Sequence, residues 1–197
     1  MIKKNEWFLL IFNLLYIIPF TIYYISIRNF EFLWYIAILV FFFGLIVGLQ
    51  RKIQFSNVVL ILLSIWGLLH MAGGGVRVNG QALYALQLIP IWVTDNFYIL
   101  KYDQVVHAFI YFVMVFVLYH LVKNRFDKKT KKGLIYLFVG LASIGVGALN
   151  EVAEFMAVLF FEQTGVGGYY NTAWDIVFNT FGALIGLVVL HFKLRRK

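Results

Sequence analysis

Residues 103–132 read DQVVHAFIYFVMVFVLYHLVKNRFDKKTKK, and this stretch decides the fold. Its first part, residues 103–122, is almost entirely apolar and has the length that a helix needs to cross a bilayer. A dense basic cluster follows at 123–132, and such clusters are typical of the cytoplasmic side of membrane proteins. The stretch therefore predicts a spanning helix that enters from the outside and ends at the cytoplasm.

The composition of the whole chain agrees with this interpretation. Of its 197 residues, 62% are hydrophobic and only 13% are charged, and the mean hydropathy is +0.85. A soluble domain is about 45–50% apolar and about 25% charged. The composition therefore excludes a soluble enzyme, a DNA-binding domain and a disordered chain. The chain has no cysteine, which excludes disulfides, cysteine-ligated zinc and thiol catalysis.

The hydropathy pattern predicts an all-α integral membrane protein with a single transmembrane domain over residues 1–197, built as a six-helix polytopic bundle. The first stretch is too long for a signal peptide and lacks a small-residue cleavage site, so we expect it to be a spanning helix. A further apolar segment at 83–100 is interrupted by polar residues and proline, which predicts an interfacial or re-entrant segment between the third and fourth helices. The predicted spans are about 7–27, 32–49, 55–72, 103–122, 133–161 and 171–192, and the interruptions at 83–100 are Gln87, Pro90, Asp95 and Asn96.

The basic residues are divided very unequally between the two sides of the membrane that this topology defines. Of the 17 lysines and arginines, only Arg28, Arg77 and Lys101 fall on the side opposite the termini. The positive-inside rule then predicts that both termini are cytoplasmic in a multi-pass protein of the cell membrane. A seventh span would move the cluster at 123–132 across the membrane and break this pattern. The net charge of +8 therefore indicates topology and a face apposed to anionic lipid, and we expect no nucleic-acid partner.

Polar residues within the spans are the main functional signal. An acid at a helix centre costs roughly 2.5–3.5 kcal/mol, so such residues are functional candidates. Glu6, Glu31 and Asp127 lie beside basic residues at predicted membrane edges and are assigned no special role. At a rise of about 1.5 Å per residue, four helices place polar side chains in the same outer third of the membrane. These are His70 in the third helix, Asp103 and His107 in the fourth, Glu151 and Glu154 in the fifth, and Asn171, Asp175 and Asn179 in the sixth.

This shared depth predicts one polar pocket open to the outer leaflet. The alternative is a set of interhelical hydrogen bonds, each worth only about 0.6 kcal/mol. Four acids exceed what such bonding requires, and their mutual repulsion needs a positive partner. The candidates are a divalent metal ion, a protonated histidine, Arg77 or shared protons.

The pocket residues are assigned to three kinds of role. A divalent ion could polarise a phosphoryl oxygen, or His107 or His70 could act as nucleophile or general base, oriented by Asp103. The predicted catalytic residues are His70, Asp103, His107, Glu151, Glu154 and Asp175, the predicted substrate-binding residues are Arg77, Asn171 and Asn179, and the candidate metal ligands are Asp103, His107, Glu151, Glu154 and Asp175.

Two pairs of glycines at four-residue spacing predict close helix packing. Gly182 and Gly186 continue the polar stripe of the sixth helix inward, and Gly44 and Gly48 form a similar pair in the second helix.

The ordered motifs of the outer helix ends resemble a known family. The patterns Tyr102-Asp103-x-x-x-His107, Glu151-x-x-Glu154 and Asn171-x-x-x-Asp175-x-x-x-Asn179-x-x-Gly182 are similar to those of VanZ-like membrane proteins. With Leu69-His70-x-x-Gly73-Gly74 added, the chain resembles most closely the YjdF-like inner-membrane family, over about residues 66–186. Gln104 stands where VanZ-like chains usually have lysine, and Glu154 where they often have glutamine.

VanZ-like proteins are associated with teicoplanin resistance and have been proposed to belong to a wider group of membrane enzymes acting on lipid head groups. The resemblance therefore implies cleavage or exchange of phosphate-linked head groups, with the histidines and acids as the site and a membrane lipid as the partner.

Three functions compete for the predicted pocket. The first is a lipid head-group hydrolase or transferase, since the pocket lies at the depth of lipid phosphates and esters. The second is a non-catalytic lipid- or partner-binding membrane factor with a VanZ-like resistance or envelope role. The third is a proton-coupled transporter, which is disfavoured because the inner halves of the helices are almost free of polar residues and no inverted repeat is apparent.

Overall fold

Six long helices make up most of the computed structural model, which describes residues 3–94, 97–127 and 129–195. Each helix is long and apolar enough to cross a membrane, and each predicted span ends within four residues of the corresponding helix end. The predicted six-helix fold is confirmed. Asp95, Asn96 and Lys128 lie outside the described residues. The helices are α1 (Lys4–Ser26), α2 (Phe30–Ile53), α3 (Asn57–Gly75), α4 (Tyr102–Val122), α5 (Lys132–Phe160) and α6 (Tyr169–Arg195).

Short turns join the first three helices. Arg28 adopts a left-handed backbone with φ 52° between α1 and α2, and Gln54 does so with φ 53° between α2 and α3. Asn29 then caps α2 by accepting a hydrogen bond from the amide of Phe32 at 3.0 Å. Ser56 caps α3 by accepting from the amide of Val59 at 3.4 Å. Connections this short make successive helices antiparallel neighbours, so the C-terminal end of α3 lies on the same side as the C-terminal end of α1.

The segment between α3 and α4 consists of two antiparallel hairpins with a short 3-10 helix, Leu83–Ala85, between them. In the first, β1 (Arg77–Val78) pairs with β2 (Gln81–Ala82). In the second, β3 (Gln87–Val93) pairs with β4 (Tyr98–Lys101). The segment is therefore not a seventh span, as predicted, but its strands were not predicted. The pairing lets part of the backbone of this segment form its hydrogen bonds within the segment itself.

The core has two centres. Around α4, Val113 and Val115 are fully buried among side chains of α3, α5 and α6. Around α1 and α3, Tyr24 is fully buried and its hydroxyl donates to the carbonyl of Met71 at 2.7 Å. The fourth helix thus has neighbours on several sides, and polar groups near its N-terminal end are brought close to groups of three other helices.

Backbone contact between α4 and α6 depends on glycine. A Cβ on Gly182 would collide with the carbonyl of Ala108, and one on Gly186 would lie 2.9 Å from the carbonyl oxygen of Phe112. The predicted close packing of this pair is confirmed. The prediction for Gly44 and Gly48 is wrong within the described part of the chain, because a Cβ at either position would meet no atom within 4 Å.

Candidate functional site

A cavity of about 90 Å³ lies among the helices, near the ends that carry the polar residues. One wall is polar and is contributed by α4, α5 and α6. The opposite wall is formed largely by aromatic side chains of α2, α3 and the 3-10 helix. The polar wall includes Asp103, His107, Asn150, Glu154 and Asn171, and the other wall includes Glu31, Phe32, Tyr35, Trp66, His70 and Tyr84.

The first turns of α4 present Asp103 and His107 on one face. The amide of Lys101 donates to Oε1 of Gln104 at 3.1 Å and so closes the first turn. Nζ of Lys101 lies 3.0 Å from Oδ2 of Asp103, and Oδ1 of the same carboxylate lies 3.5 Å from Nε2 of His107. The helix N-terminus also favours a negative charge at Asp103. Two of the predicted site residues are therefore in contact within one helix.

Asn179 fixes the orientation of the His107 ring. Its Nδ2 donates to Oε1 of Glu151 at 3.2 Å, and its Oδ1 lies 2.9 Å from Nδ1 of His107. An amide oxygen can only accept, so Nδ1 of His107 carries the hydrogen. The second ring nitrogen, Nε2, then faces Asp103 and also Oε1 of Glu154, which is 3.8 Å away.

Each of two buried carboxylates has one oxygen without a hydrogen-bond partner among the described residues. Asp175 is fully buried, and its Oδ2 accepts from Nδ2 of Asn171 at 2.5 Å, whereas its Oδ1 has no hydrogen-bond partner among the described residues. Oε1 of Glu151 lies 3.6 Å from Nδ1 of His107, whereas no hydrogen-bond partner for its Oε2 is found in the part of the chain that the structure describes. Because buried polar atoms are normally paired, these two oxygens indicate that the site accommodates a further group.

Two sets of three side chains have the spacing of metal ligands, and they share His107. One ligand atom each from Asp103, His107 and Asp175 lie within 4.8 Å of one another, and the same holds for His107, Glu151 and Glu154. Imidazole nitrogens and carboxylate oxygens are ligands of divalent transition metals. The cluster can therefore transfer protons or hold a cation.

His70 lies in the aromatic wall. Its ring stacks on Trp66 with centroids 5.4 Å apart, and its Nδ1 is hydrogen-bonded to the hydroxyl of Tyr84. Burial, aided by the nearby charge of Asp103, raises the pKa of Tyr84 well above its ordinary value. The hydroxyl therefore stays protonated and donates to Nδ1, which leaves the hydrogen of the His70 ring on Nε2.

The structure brings most of the predicted site residues together. His107 contacts Asp103, Glu151 and Glu154, Asp175 belongs to the same cluster, and His70 lines the same cavity. The predicted substrate-binding residues Asn171 and Asn179 hydrogen-bond to Asp175 and Glu151 within that cluster.

Arg77 is not brought to the cavity, contrary to the prediction. It lies in β1 with an exposed side chain, because the turn through Asn79 and Gly80, both with positive φ, folds the hairpin back on itself. Lys101, not Arg77, is the basic residue that contacts the acids of the cluster. Its Nζ donates to Asp103 and to Oδ1 of Asn171.

Sequence reasoning missed several residues of the site. The sequence places Glu31 at a membrane edge with no special role, whereas its side chain is buried and accepts from the amide of Gly165 at 2.7 Å and from the Tyr35 hydroxyl at 3.3 Å. Asn150 donates to Oε1 of Glu154 at 2.8 Å. Lys101 could be predicted from the sequence as a partner of Asp103, because it lies only two residues before it.

Comparison with family models identifies a family of membrane proteins. The model of a family described as predicted membrane protein (DUF2238) matches residues 8–196. DUF2238 is the family that the motifs identified as YjdF-like, so that part of the predicted resemblance is confirmed. No curated protein and no solved structure matches the chain.

Proposed function

The chain belongs to the DUF2238 family of predicted membrane proteins, and we propose that it is a membrane enzyme that cleaves or exchanges phosphate-linked lipid head groups at the outer leaflet. The choice of a lipid head group as substrate follows the resemblance of the ordered motifs to VanZ-like proteins. The choice of an enzyme follows the chemistry of the cavity.

The contacts of His107 are the observation that carries the proposal. Three carboxylates lie within 4 Å of its ring, and the ring lines a cavity. Interhelical hydrogen bonds of purely structural value do not require such a concentration of acids. A histidine among carboxylates beside a cavity is instead an arrangement suited to moving protons during a reaction.

The proposed reaction is a substitution at phosphorus. In hydrolysis, the oxygen of a water molecule attacks phosphorus, and the bond between phosphorus and the oxygen of the leaving alcohol breaks. One proton of the water passes to the carboxylate of Glu154, which lines the cavity. The leaving alkoxide takes a proton from another acid of the cluster. In exchange, an alcohol takes the place of water. Lys101 supplies positive charge for the phosphate.

The depth of the site supports a lipid substrate. His70 lies near the C-terminal end of α3, and Asp103 and Asp175 lie near the N-terminal ends of α4 and α6. These helix ends belong to the side of the bundle opposite the basic cluster at 123–132, which the positive-inside rule assigns to the cytoplasm. The cavity would then face the outer leaflet, where phosphates and esters are found.

The orientation can be tested directly because the chain has no cysteine. We expect Val93→Cys in β3, an exposed position, to react with a membrane-impermeant maleimide in intact cells. Asn124→Cys, exposed after α4, should react only after the cells are permeabilised. The unmodified chain is the control for background labelling, and the reverse pattern of labelling would place the cavity at the inner leaflet.

Replacing Lys101 by glutamine is expected to weaken binding of a phosphate-bearing substrate. The loss of one charge-assisted hydrogen bond should raise KM by about 10-fold or more, with a smaller change in kcat. Head-group release from vesicles at varied lipid fraction measures both constants. Lys129→Gln, an exposed lysine on the other side of the bundle, is the matched control. An unchanged KM in Lys101→Gln would remove Lys101 from the binding site.

A transporter is the less supported alternative. Below the site, the described part of α4 is packed against its neighbours by apolar side chains such as Val113, Val115 and Val117. A conduction path would need polar groups there as well.

A further inference from the structure

We propose that a divalent transition-metal ion binds beside His107, with Asp103 and Asp175 as the other protein ligands. The ion would polarise the phosphoryl oxygen, and that role rests on the proposed function. The binding itself is argued from the cluster alone and is tested without any lipid.

The ring of His107 is oriented as a ligand. Asn179 holds the hydrogen on Nδ1, so Nε2 presents a lone pair towards Oδ1 of Asp103, 3.5 Å away. In the neutral ring, Nε2 and Oδ1 of Asp103 are both acceptors, so a cation between them would satisfy both. Ligand bonds of about 2.1 Å at tetrahedral angles place two ligand atoms about 3.4 Å apart. The observed separation is therefore close to that of two ligands on one ion.

Asp175 supplies the third ligand. Its side chain is fully buried, its Oδ1 has no hydrogen-bond partner within residues 3–94, 97–127 and 129–195, and the residue belongs to the same set of closely spaced ligand atoms as Asp103 and His107. A bound cation gives this oxygen the partner that the described residues do not supply.

Each proposed ligand is held by a second residue through its other polar atom. Asn171 donates to Oδ2 of Asp175, Lys101 to Oδ2 of Asp103, and Asn179 accepts from Nδ1 of His107. Such outer partners orient the ligands of metal sites.

The charges of the cluster also favour a divalent ion. The described basic groups in contact with these acids are Lys101 and His107. With the four carboxyl groups ionised and His107 neutral, as a metal ligand must be, Asp103, Glu151, Glu154 and Asp175 exceed the charge of Lys101 by three negative charges. Burial makes such an excess costly. The mixture of an imidazole with carboxylates suits Zn²⁺ or Mn²⁺ better than Mg²⁺ or Ca²⁺, which take oxygen ligands.

Zinc binding by the purified protein tests the inference. Tag-free protein in detergent is stripped with a chelator and titrated with Zn²⁺ in a calorimeter, and bound zinc is counted by elemental analysis after gel filtration. We expect about one Zn²⁺ per chain. Asp175→Asn keeps the size of the side chain and should lower the affinity by at least about 10-fold. His191→Gln, which alters a histidine at the other end of α6, should bind as the unmodified chain does.

The inference is overturned if the folded, unmodified chain binds no zinc, or if Asp175→Asn binds it with equal affinity. Gel-filtration volume and melting temperature show whether each variant is folded. Stoichiometric zinc binding by a protein that turns over no lipid would support the metal site and remove the proposed function. Full lipid turnover by the zinc-free protein would support the proposed function and overturn the role of the ion in polarising the phosphoryl oxygen.

Discussion

Replacing His107 by glutamine is expected to lower the rate of head-group release by about 10²–10⁴-fold, the range typical for loss of general acid–base catalysis, because the acids that transfer protons are arranged around this ring. His107 contacts three of the four acids of the cluster, so its removal leaves those acids without the nitrogen around which they are arranged. Glutamine retains a polar side chain that can donate to the amide oxygen of Asn179, and the fold should survive the change.

The matched control is His191→Gln, since His191 lies near the C-terminal end of α6 and outside the residues that line the cavity. It should release head groups at the rate of the unmodified chain. Release by His107→Gln at more than a tenth of the normal rate would contradict a central role of this histidine in the reaction.

Gly182→Ala is expected to be the most destabilising small substitution in the bundle. Its Cβ would collide with the backbone carbonyl of Ala108, which cannot move aside as a side chain can. Overpacking of this kind costs about 1–3 kcal/mol. In a chain of this size, each kcal/mol should lower the melting temperature by about 2–4 °C. Thermal unfolding in detergent measures the shift.

Gly44→Ala is the control for this substitution. A Cβ there would meet no atom of the described residues within 4 Å, and alanine is favoured over glycine in a helix, so stability should stay the same or rise slightly. Equal melting temperatures for Gly182→Ala and the unmodified chain would mean that α4 and α6 do not approach as closely as described.

Much of the fold follows from hydropathy and charge. A spanning helix has to satisfy its own backbone hydrogen bonds, so a run such as 103–122 predicts its own secondary structure without reference to the rest of the chain. The alternation of basic and polar helix ends then predicts which residues share a depth. The shared depth predicts that His107, Glu151 and Asp175 lie together, and in the structure Glu151 and Asp175 belong to two ligand sets that share His107.

The parts that could not be predicted depend on contacts between distant segments. The chain after α5 packs against Glu31, and the amide of Gly165 donates a hydrogen bond to its carboxylate. The sequence around residue 31 does not predict this contact with a distant segment. The glycine pair of α2 has the same spacing as the pair of α6, but only the latter faces a neighbouring backbone. Local sequence does not determine which face of a helix meets a partner. Arg77 and Lys101 illustrate the same limit in the hairpin region, where strand pairing decides which cation approaches the acids.

The most direct test of the central claim is the release of head groups by the purified protein in vesicles of phosphatidylethanolamine and phosphatidylglycerol. Water-soluble head groups are quantified by mass spectrometry over time. We predict release well above that of protein-free vesicles, falling to that background in His107→Gln. Release at the background level by the folded, unmodified chain, or at equal rates by the unmodified chain and His107→Gln, would contradict the claim that this buried cluster is a reaction centre for lipid head groups.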